Sequence, residues 1–306
     1  MTYLVVLVPS EASSQLEQLG TKGKFWYRTE EDKRVLFKEG RPGTGENWAE
    51  KACCEIARLL GLPHAEYDLA TYNNQQGVAS PSFVPKDGRL ILGNELLSKA
   101  FASDHYDPDS KYQDSQHTLR RVASVLRHPN VGTPLGWLCP PEIRNAFGVF
   151  SGYLFLDALV GNQDRHHENW GMIFTTDPSL LRLAPTFDHA SSLGRNETDE
   201  NRLERLGTKD VGRSVKYYAE RARSSLYESQ SSKRPMSTLT AFSEAMKIAP
   251  EAGQYWLQQL LSISPDMFSI VLNQIPDDWI SRPARDFAHR MLIINQARLL
   301  ELGNNQ

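Results

Sequence analysis

The stretch from Gly161 to Trp170 (GNQDRHHENW) holds most of the side chains in this sequence that could do chemistry. Asp164 and Asn169 are five positions apart, and Asp188 follows about twenty positions later, after two short strand-like runs. Transfer of a phosphoryl group needs one carboxylate that orients the attacking hydroxyl and takes its proton, and an amide and a second carboxylate that hold Mg²⁺. The spacing of Asp, Asn and Asp therefore predicts a catalytic loop followed by a metal loop, as in kinases.

This chemistry also needs a lysine that binds phosphate, and Lys38 is suited to it because it ends the strand-like run 35–37. A lysine at a strand end that faces a cleft can reach the α- and β-phosphates, while a glutamate on a helix holds its ammonium in place. Glu50 and Glu55 both lie on the flanks of the apolar stripe of the next predicted helix. Helix geometry alone therefore leaves both glutamates open.

Two glycine-containing stretches lie near this lysine. The first is GTKGK at 20–24, where Gly20, Gly23 and Lys24 offer backbone N–H groups that could cover the phosphates. It is not a P-loop, because Phe25 follows its GK pair, and RPGTGENW further on lacks the third glycine of a dinucleotide fingerprint. By themselves both stretches also fit ordinary turns.

The neighbouring His166, His167 and Glu168 suggest a metal site at first sight. The HExxH pattern is absent, however, and adjacent side chains do not converge on one ion, so we expect no zinc there. We interpret His166 as a hydrogen-bonded residue that shapes the loop. Arg165 is expected to pair with an acidic group that the sequence does not identify.

The composition is that of a globular protein, with 306 residues, 40% hydrophobic and 23% charged, and a net charge of −3. Without a global basic field, we expect neither direct nucleic-acid binding nor membrane binding. The apolar run 3–8 is too short for a signal segment or a membrane span and predicts a strand. The three cysteines show no zinc spacing and are interpreted as small buried side chains, which favours a reducing, cytoplasmic compartment.

Periodicity divides the chain into a strand-rich first part and a helical second part. The predicted elements are strands at 24–28, 34–38, 65–72, 78–84 and 89–92, helices at 47–60, 147–160 and 281–303, a helix start at Ser264-Pro265, and loops at 104–114 and 186–204. We expect the 147–160 helix to be central, because it is almost entirely apolar. The pattern therefore predicts the α+β class with two unequal lobes. Because Lys38 lies in the first and Asp164 in the second, we expect an N-terminal nucleotide-binding lobe (1–95) and a helical C-terminal catalytic lobe (96–306).

Several segments resemble one known group of enzymes. GNQDRHHENWGMI followed by LAPTFDHASSLG is similar to the HipA-like serine/threonine kinases of bacteria, which carry a D-x-H-x-x-N catalytic loop and an L-x-P-x-[FY]-D metal segment. VLFKEG resembles their strand-end lysine, Lys38. In NWAEKACCEIARLLGLPHAEYDLA, alignment on Leu-Gly-Leu places the lysine-pairing glutamate of the family on Glu50. The resemblance runs from about 20 to 195.

The resemblance implies a two-lobed protein-kinase-like fold, with a small β-rich N-lobe that contains one helix and a larger helical C-lobe. It also implies ATP as cofactor, with Mg²⁺ or Mn²⁺. Asp164 would be the catalytic aspartate, and Asn169 and Asp188 would be the metal ligands. The strand 78–84 would lead to the hinge, which places the adenine near Ser82, Phe83 and Val84.

The resemblance further implies a protein substrate with a serine or threonine acceptor. Some members of the family are toxins countered by a small DNA-binding partner, so a helix-turn-helix antitoxin is a candidate partner here. Better-known members have an extra N-terminal subdomain, for which about 20 residues leave no room in this sequence. They also use a serine in the glycine-rich loop for inhibitory autophosphorylation, whereas GTKGKF has no serine.

Three alternatives stay open at this point. DRHHEN also fits the D-R-H-x-x-N loop of phosphoinositide kinases, although a lipid substrate would favour a basic surface. A small-molecule kinase would need an acidic substrate pocket, which the acidic cluster Glu197, Asp199, Glu200 and Glu204 could form. A pseudokinase binding module is the non-enzymatic alternative, but no position of the lysine, aspartate, asparagine and aspartate set is missing.

Overall fold

The computed structural model describes residues 2–15, 23–102, 115–175 and 181–304. Within these ranges the chain combines two β-sheets with ten α-helices, which confirms the predicted α+β class. None of the helices in the described ranges has the length and apolar composition that a membrane span requires. The predicted acidic loop at 104–114 lies outside the described residues.

The first sheet has five strands in the order β1-β4-β5-β3-β2. They are β1 (Val5–Leu7), β2 (Lys24–Arg28), β3 (Arg34–Glu39), β4 (Asp68–Tyr72) and β5 (Gln75–Pro81). Alternation along the hairpin of β2 and β3 buries Phe25, Tyr27, Val35 and Phe37 in one cluster, as period-2 patterning requires. The hairpin register pairs Lys24 with Lys38. The predicted hairpin is confirmed.

Helix α1 (Glu46–Leu59) packs on this sheet and into the main core. Its apolar positions Trp48, Ala52 and Ile56 recur at helical spacing and are buried. The helix ends where predicted, because Gly61 adopts the left-handed backbone at φ +67° that favours glycine.

The second sheet has four strands in the order β6-β8-β9-β7. They are β6 (Arg89–Leu92), β7 (Val131–Gly132), β8 (Gly171–Phe174) and β9 (Leu181–Leu183). Strand β6 pairs with β8, so it belongs to the same sheet as the strands that follow the predicted catalytic loop. The division of the chain at residue 95 stays a prediction.

The remaining helices form most of the second part of the chain. They are α2 (Gly93–Ala100), α3 (Leu119–Leu126), α4 (Ala146–Val160), α5 (Asp199–Gly207), α6 (Val215–Glu220), α7 (Thr238–Ile248), α8 (Pro250–Leu261), α9 (Pro265–Asn273) and α10 (Arg282–Asn304). Every residue of α4 is buried, and α7, α8 and α10 pack around it. The predicted central helix is thus confirmed, as are the starts of α9 and α10.

Three elements differ in their boundaries from the sequence-based prediction. Strand β4 begins at Asp68 rather than 65, because the Ala65 N–H donates instead to the Thr186 carbonyl oxygen at 2.8 Å. The segment predicted as loop to 204 contains the first turns of α5, whose N-cap Thr198 accepts a hydrogen bond from the Asn201 N–H. Strand β5 also lies earlier than predicted, at 75–81, which leaves Ser82 to Val84 outside the sheet.

Candidate active site

The loop between α4 and β8 is folded by hydrogen bonds among its own residues. Helix α4 ends at Gly161, which is left-handed at φ +67°. The Asp164 N–H then donates to Asn162 Oδ1 at 3.1 Å, and Asn169 Nδ2 donates to the Asp164 carbonyl oxygen at 2.6 Å. These bonds close a compact turn that holds Asp164 and Asn169 next to each other. The Asn169 Nδ2 group points into this turn.

A buried ion pair anchors this loop to α4. Arg165 is fully buried, and its Nε and Nη2 atoms donate to Asp157 Oδ2 and Oδ1 at 2.8 and 2.7 Å. Its Nη1 atom donates to the carbonyl oxygens of Asn169 at 2.7 Å and Phe187 at 3.5 Å. Arg165 therefore connects the predicted catalytic loop with the predicted metal loop.

Asp157 is a site residue that the sequence reasoning missed. It is the single charged residue in α4, where all other side chains are apolar or small. A carboxylate on a fully buried helix needs a buried cation, because an unpaired charge in the core is costly. That signal was available in the sequence and would have named the partner of Arg165.

The segment after β9 turns back toward α1. Asp188 has a left-handed backbone at φ +58°, a conformation that aspartate tolerates better than most residues. Its N–H donates to the Tyr67 hydroxyl at 3.2 Å, and the His189 N–H donates to Glu50 Oε1 at 2.6 Å. The main chain on both sides of the Asp188 carboxylate is thus held by residues of the N-terminal part.

Lys38 lies between two of these carboxylates. Its Nζ atom is 2.6 Å from Asp188 Oδ1 and 3.8 Å from Glu50 Oε2. The side chain of Glu50 is 1% exposed and that of Asp188 is 39% exposed, so Asp188 is the partner that faces solvent. Glu55 points elsewhere and pairs with Lys51 at 2.7 Å and with Arg58. Of the two glutamates that the sequence left open, Glu50 is the one that meets Lys38.

The charges of this cluster shift the pKa values of its members. Burial alone would lower the pKa of Lys38, but the carboxylates of Asp188 and Glu50 outweigh it and raise that pKa above its usual 10.5. For Asp188, burial would raise the pKa, but the Lys38 ammonium lowers it to about 2. Asp188 is therefore ionised at neutral pH.

Asp164 shows the opposite shift. Burial raises the pKa of its carboxyl group, and the negative charge of Asp188 adds to this, while His166 partly offsets it. His166 Nδ1 accepts the Glu168 N–H at 3.1 Å, and its Nε2 lies 3.7 Å from Asp164 Oδ1. His166 therefore shapes the loop, in agreement with its interpretation from the sequence.

A cavity of about 300 Å³ opens beside Asp164 and is lined by residues that include Arg41, Ser191 and Arg195. Ser191 Oγ lies 3.5 Å from Asp164 Oδ2, and Arg195 Nη2 donates to Ser191 Oγ at 3.1 Å. Ser191 was not singled out from the sequence. Its contact with Asp164 spans 27 positions and has no local pattern that would reveal it.

The residues after β5 lie next to the predicted metal loop. The Phe83 ring stacks on Phe187 at 5.6 Å, and the Val84 N–H donates to Ser82 Oγ at 3.2 Å. At the other side of the hairpin, the Gly23 carbonyl oxygen accepts the Glu39 N–H at 2.8 Å, and Lys24 lies opposite Lys38 in the register. Gly20 lies outside the described residues.

The donor chemistry of the cluster fits a hard divalent cation. Asn169 uses its Nδ2 group in the loop, so its amide oxygen is the atom that remains for a ligand, and Asp188 offers an ionised carboxylate. Mg²⁺ prefers such oxygen donors and completes its coordination with phosphate and water. Arg165 donates hydrogen bonds to the carbonyl oxygens of Asn169 and of Phe187, the residue before Asp188. These bonds hold the loops that carry the two candidate metal ligands side by side.

Comparison with known proteins relates the chain to one family. The sequence model described as HipA-like C-terminal domain matches residues 15–249. The serine/threonine-protein kinase CtkA of Helicobacter pylori strain J99 is 25% identical over 146 residues, which are 48% of this chain. The matched segment spans 40% of the length of that protein.

Solved structures show the same fold. The crystal structure of the H. pylori proinflammatory kinase CtkA superposes with a TM-score of 0.67 at 19% identity, covering 92% of this chain and 95% of that one. HipA of Shewanella oneidensis MR-1, solved with HipB and operator DNA, gives 0.54 at 13% identity, covering 94% of this chain and 65% of that one. The predicted kinase-like fold is confirmed.

Proposed function

Because the chain belongs to the family of HipA-like C-terminal domains, we propose that it is an ATP- and Mg²⁺-dependent serine/threonine protein kinase. One observation supports this function above the others. The Lys38 ammonium lies between Asp188 and Glu50, and Arg165 links the Asp188 segment to the loop of Asp164 and Asn169. These segments thus combine a cation for the phosphates (Lys38), oxygen ligands for a metal (Asn169 and Asp188) and a carboxylate that can act as general base (Asp164). Phosphoryl transfer needs this set of groups.

In this proposal the first sheet and the turn after it bind the nucleotide. Lys38 binds the α- and β-phosphates, and Glu50 keeps its ammonium in position through an ion pair at 3.8 Å. Ser82, Phe83 and Val84 contact the adenine, because they leave the sheet beside the metal loop. The backbone of Gly23 and Lys24 covers the phosphates, and Gly20, which was predicted to share this role, lies outside the described residues.

Asn169 and Asp188 would hold Mg²⁺, or Mn²⁺, which when bound neutralises phosphate charge. The Lys38 Nζ atom lies 2.6 Å from Asp188 Oδ1 and supplies a positive charge beside this carboxylate. The phosphates of a bound nucleotide would give Lys38 a second anionic partner, and the Asp188 carboxylate would then be available to hold the metal. The ion pair therefore keeps Lys38 protonated and Asp188 ionised, which are the charge states that bind phosphate and metal.

Asp164 is the proposed general base. Its carboxylate orients the serine or threonine hydroxyl and accepts its proton as the hydroxyl oxygen attacks the γ-phosphorus and the bond to ADP breaks. The raised pKa makes this carboxylate more basic than an ordinary aspartate. The turn closed by Asn162 and Asn169 holds it in place.

The charges around the site favour a protein acceptor over a small cationic substrate. In the acidic cluster, Glu197 pairs with Arg205 at 2.9 Å and Asp199 with Arg202 at 2.7 Å. Glu204 pairs with Arg213. These arginines cancel the negative charge that a pocket for a cationic small molecule would need.

We also propose a cytoplasmic location, because Cys53, Cys54 and Cys139 are all unpaired and a reducing compartment keeps thiols in that form. A small helix-turn-helix antitoxin is a candidate partner, since HipA of S. oneidensis was solved with HipB and operator DNA. A short neighbouring reading frame for such a protein, and its co-purification with this chain, would test that partner.

Labelled ATP tests the function directly. The purified protein is incubated with γ-labelled ATP, Mg²⁺ and a bacterial lysate, alongside separate reactions with phosphoinositide vesicles and with aminoglycosides. We expect label on serine or threonine of protein, and none when EDTA is added. Label only in lipid or in the small molecule would overturn the protein substrate, and ATP binding without any transfer would indicate a pseudokinase.

A further inference from the structure

Behind the nucleotide cleft, three side chains of metal-ligand type come together. The Cys54 thiol, the His64 imidazole and the Glu66 carboxylate each offer an atom within 4.8 Å of the others. Cys54 lies on α1, and the other two lie in the segment between α1 and β4. None of the three belongs to the proposed catalytic machinery.

The tautomer of His64 is fixed by its surroundings. Its Nδ1 atom lies 2.6 Å from the Leu62 carbonyl oxygen, which can only accept, so Nδ1 carries the proton and Nε2 presents a lone pair. A backbone carbonyl that orients the remote ring nitrogen is the usual support of a metal-binding histidine.

The lone pair of His64 faces another acceptor. Nε2 is buried in a side chain that is 9% exposed and has no hydrogen-bond partner among the described residues. It lies 3.5 Å from Glu66 Oε1, so two electron-rich atoms oppose each other. Such a contact is repulsive unless a cation lies between the two atoms, and burial makes the unpartnered nitrogen costly.

The thiol and a nearby arginine complete the surroundings. Cys54 is buried, and its Sγ atom is 3.8 Å from Glu66 Oε2 and 3.9 Å from Arg58 Nη2. Arg58 also forms ion pairs with Glu66 and with Glu55. Its side chain is 45% exposed, so it can move away from Glu66 while it keeps Glu55 as a partner.

We infer that Cys54, His64 and Glu66 form a Zn²⁺ site, with water in the fourth position. Zn²⁺ binds thiolate sulfur, imidazole nitrogen and carboxylate oxygen in tetrahedral geometry, whereas a thiolate ligand disfavours Mg²⁺ and Ca²⁺. As the zinc–sulfur bond forms, the Cys54 thiol releases its proton to solvent. The protein supplies three ligands, and Arg58 competes with the metal for Glu66. We therefore expect bound zinc to exchange with zinc in solution.

The position of the site gives it a consequence for the cleft. Cys54 is on the helix that carries Glu50, and the segment of His64 is bound to the Asp188 loop. Ala65 N–H donates to the Thr186 carbonyl oxygen at 2.8 Å, and Thr186 N–H donates to the Pro63 carbonyl oxygen at 2.9 Å. Bound zinc would therefore tie α1 to the segment that supports Asp188.

Titration with Co²⁺ as a spectroscopic substitute tests the site in a Cys139→Ser background, which removes the exposed Cys139 thiol as a second source of thiolate absorption. We expect one equivalent of Co²⁺ with thiolate-to-metal absorption, and its displacement by Zn²⁺. Cys54→Ser and His64→Gln should each lower the affinity at least about tenfold. Cys53→Ser is the matched control, because the Cys53 Sγ atom faces the His189 carbonyl oxygen at 3.9 Å. The Cys53→Ser protein should bind Co²⁺ with unchanged affinity.

Arg58→Ala provides a test that does not risk the core. Removing the cation that competes for Glu66 should raise the metal affinity, and unfolding temperatures without metal verify that each variant is folded. The site is refuted if the Cys139→Ser protein binds no Co²⁺ with thiolate absorption, or if folded Cys54→Ser and His64→Gln proteins bind it as tightly. Weaker binding by Arg58→Ala would also overturn it.

Discussion

The ammonium of Lys38 lies 2.6 Å from Oδ1 of Asp188, although 150 positions separate the two residues in the chain. Lys38 is on a central strand of the first sheet, whereas Asp188 follows the last strand of the second. Their ion pair therefore joins the two sheets at the cleft. Glu50 adds a second carboxylate at 3.8 Å, so two carboxylates position the lysine.

Lys38→Met should weaken both stability and nucleotide binding. It leaves the Glu50 carboxylate, which is 1% exposed, without its cation, and we expect the free energy of unfolding to fall by about 1–3 kcal/mol. ATP should then raise the unfolding temperature much less than in the wild type. A double-mutant cycle with Glu50→Gln should show coupling, and strictly additive losses would contradict the pairing.

Asp188→Asn tests the metal ligand in a backbone that asparagine tolerates, because φ is +58° at this position. Losing the negative charge should weaken Mg²⁺–ATP binding at least about tenfold, or 1.4 kcal/mol, and affect metal-free ATP much less. Calorimetry with and without Mg²⁺ measures the two affinities. Equal losses in both titrations would argue against Asp188 as a ligand.

The pH dependence of transfer should report Asp164. The base must be ionised, and its pKa lies above the usual 3.8, so activity should fall with decreasing pH at a higher pH than an ordinary aspartate would give. The Ser191 hydroxyl favours the ionised form through its contact at 3.5 Å. Ser191→Ala should therefore move the acidic limb of the rate profile to still higher pH.

The control for this shift is Ser192→Ala, which removes the adjacent buried hydroxyl, whose Oγ forms no hydrogen bond with Asp164 among the described residues. Its acidic limb should coincide with that of the wild type. An acidic limb that stays in place or moves to lower pH in Ser191→Ala would show that this hydroxyl does not act on Asp164.

Asp157→Asn should be strongly destabilising. The change leaves the Arg165 guanidinium buried without its counterion, for which we expect a loss of about 3–5 kcal/mol in urea unfolding. Asp32→Asn is a matched control at an exposed ion pair with Arg28, where little or no loss of stability is expected. Equal, small losses for both variants would contradict the anchoring role of Asp157.

The sequence predicted those features that depend on local pattern. The hairpin, α1 and α4 follow from alternation, helical spacing and glycine stops, and the positions of Asp164, Asn169 and Asp188 follow from their spacing along one segment. The pairing of β6 with β8 did not follow, because nothing in a four-residue strand specifies its partner. Helix geometry left Glu50 and Glu55 open, and the family resemblance favoured Glu50, which is the one that meets Lys38. The contact of Ser191 with Asp164 depends on tertiary packing.

The rate of phosphoryl transfer by Asp164→Asn is the most direct test of the proposed mechanism. The substitution is nearly isosteric, so folding and Mg²⁺–ATP binding should survive, while turnover at saturating ATP should drop roughly 10²–10⁴-fold, the usual effect of losing a positioned base. The exposed variant Asp32→Asn should transfer phosphate at the wild-type rate. A folded Asp164→Asn protein that transfers at the wild-type rate, or that no longer binds Mg²⁺–ATP, would contradict the role of Asp164 as the base.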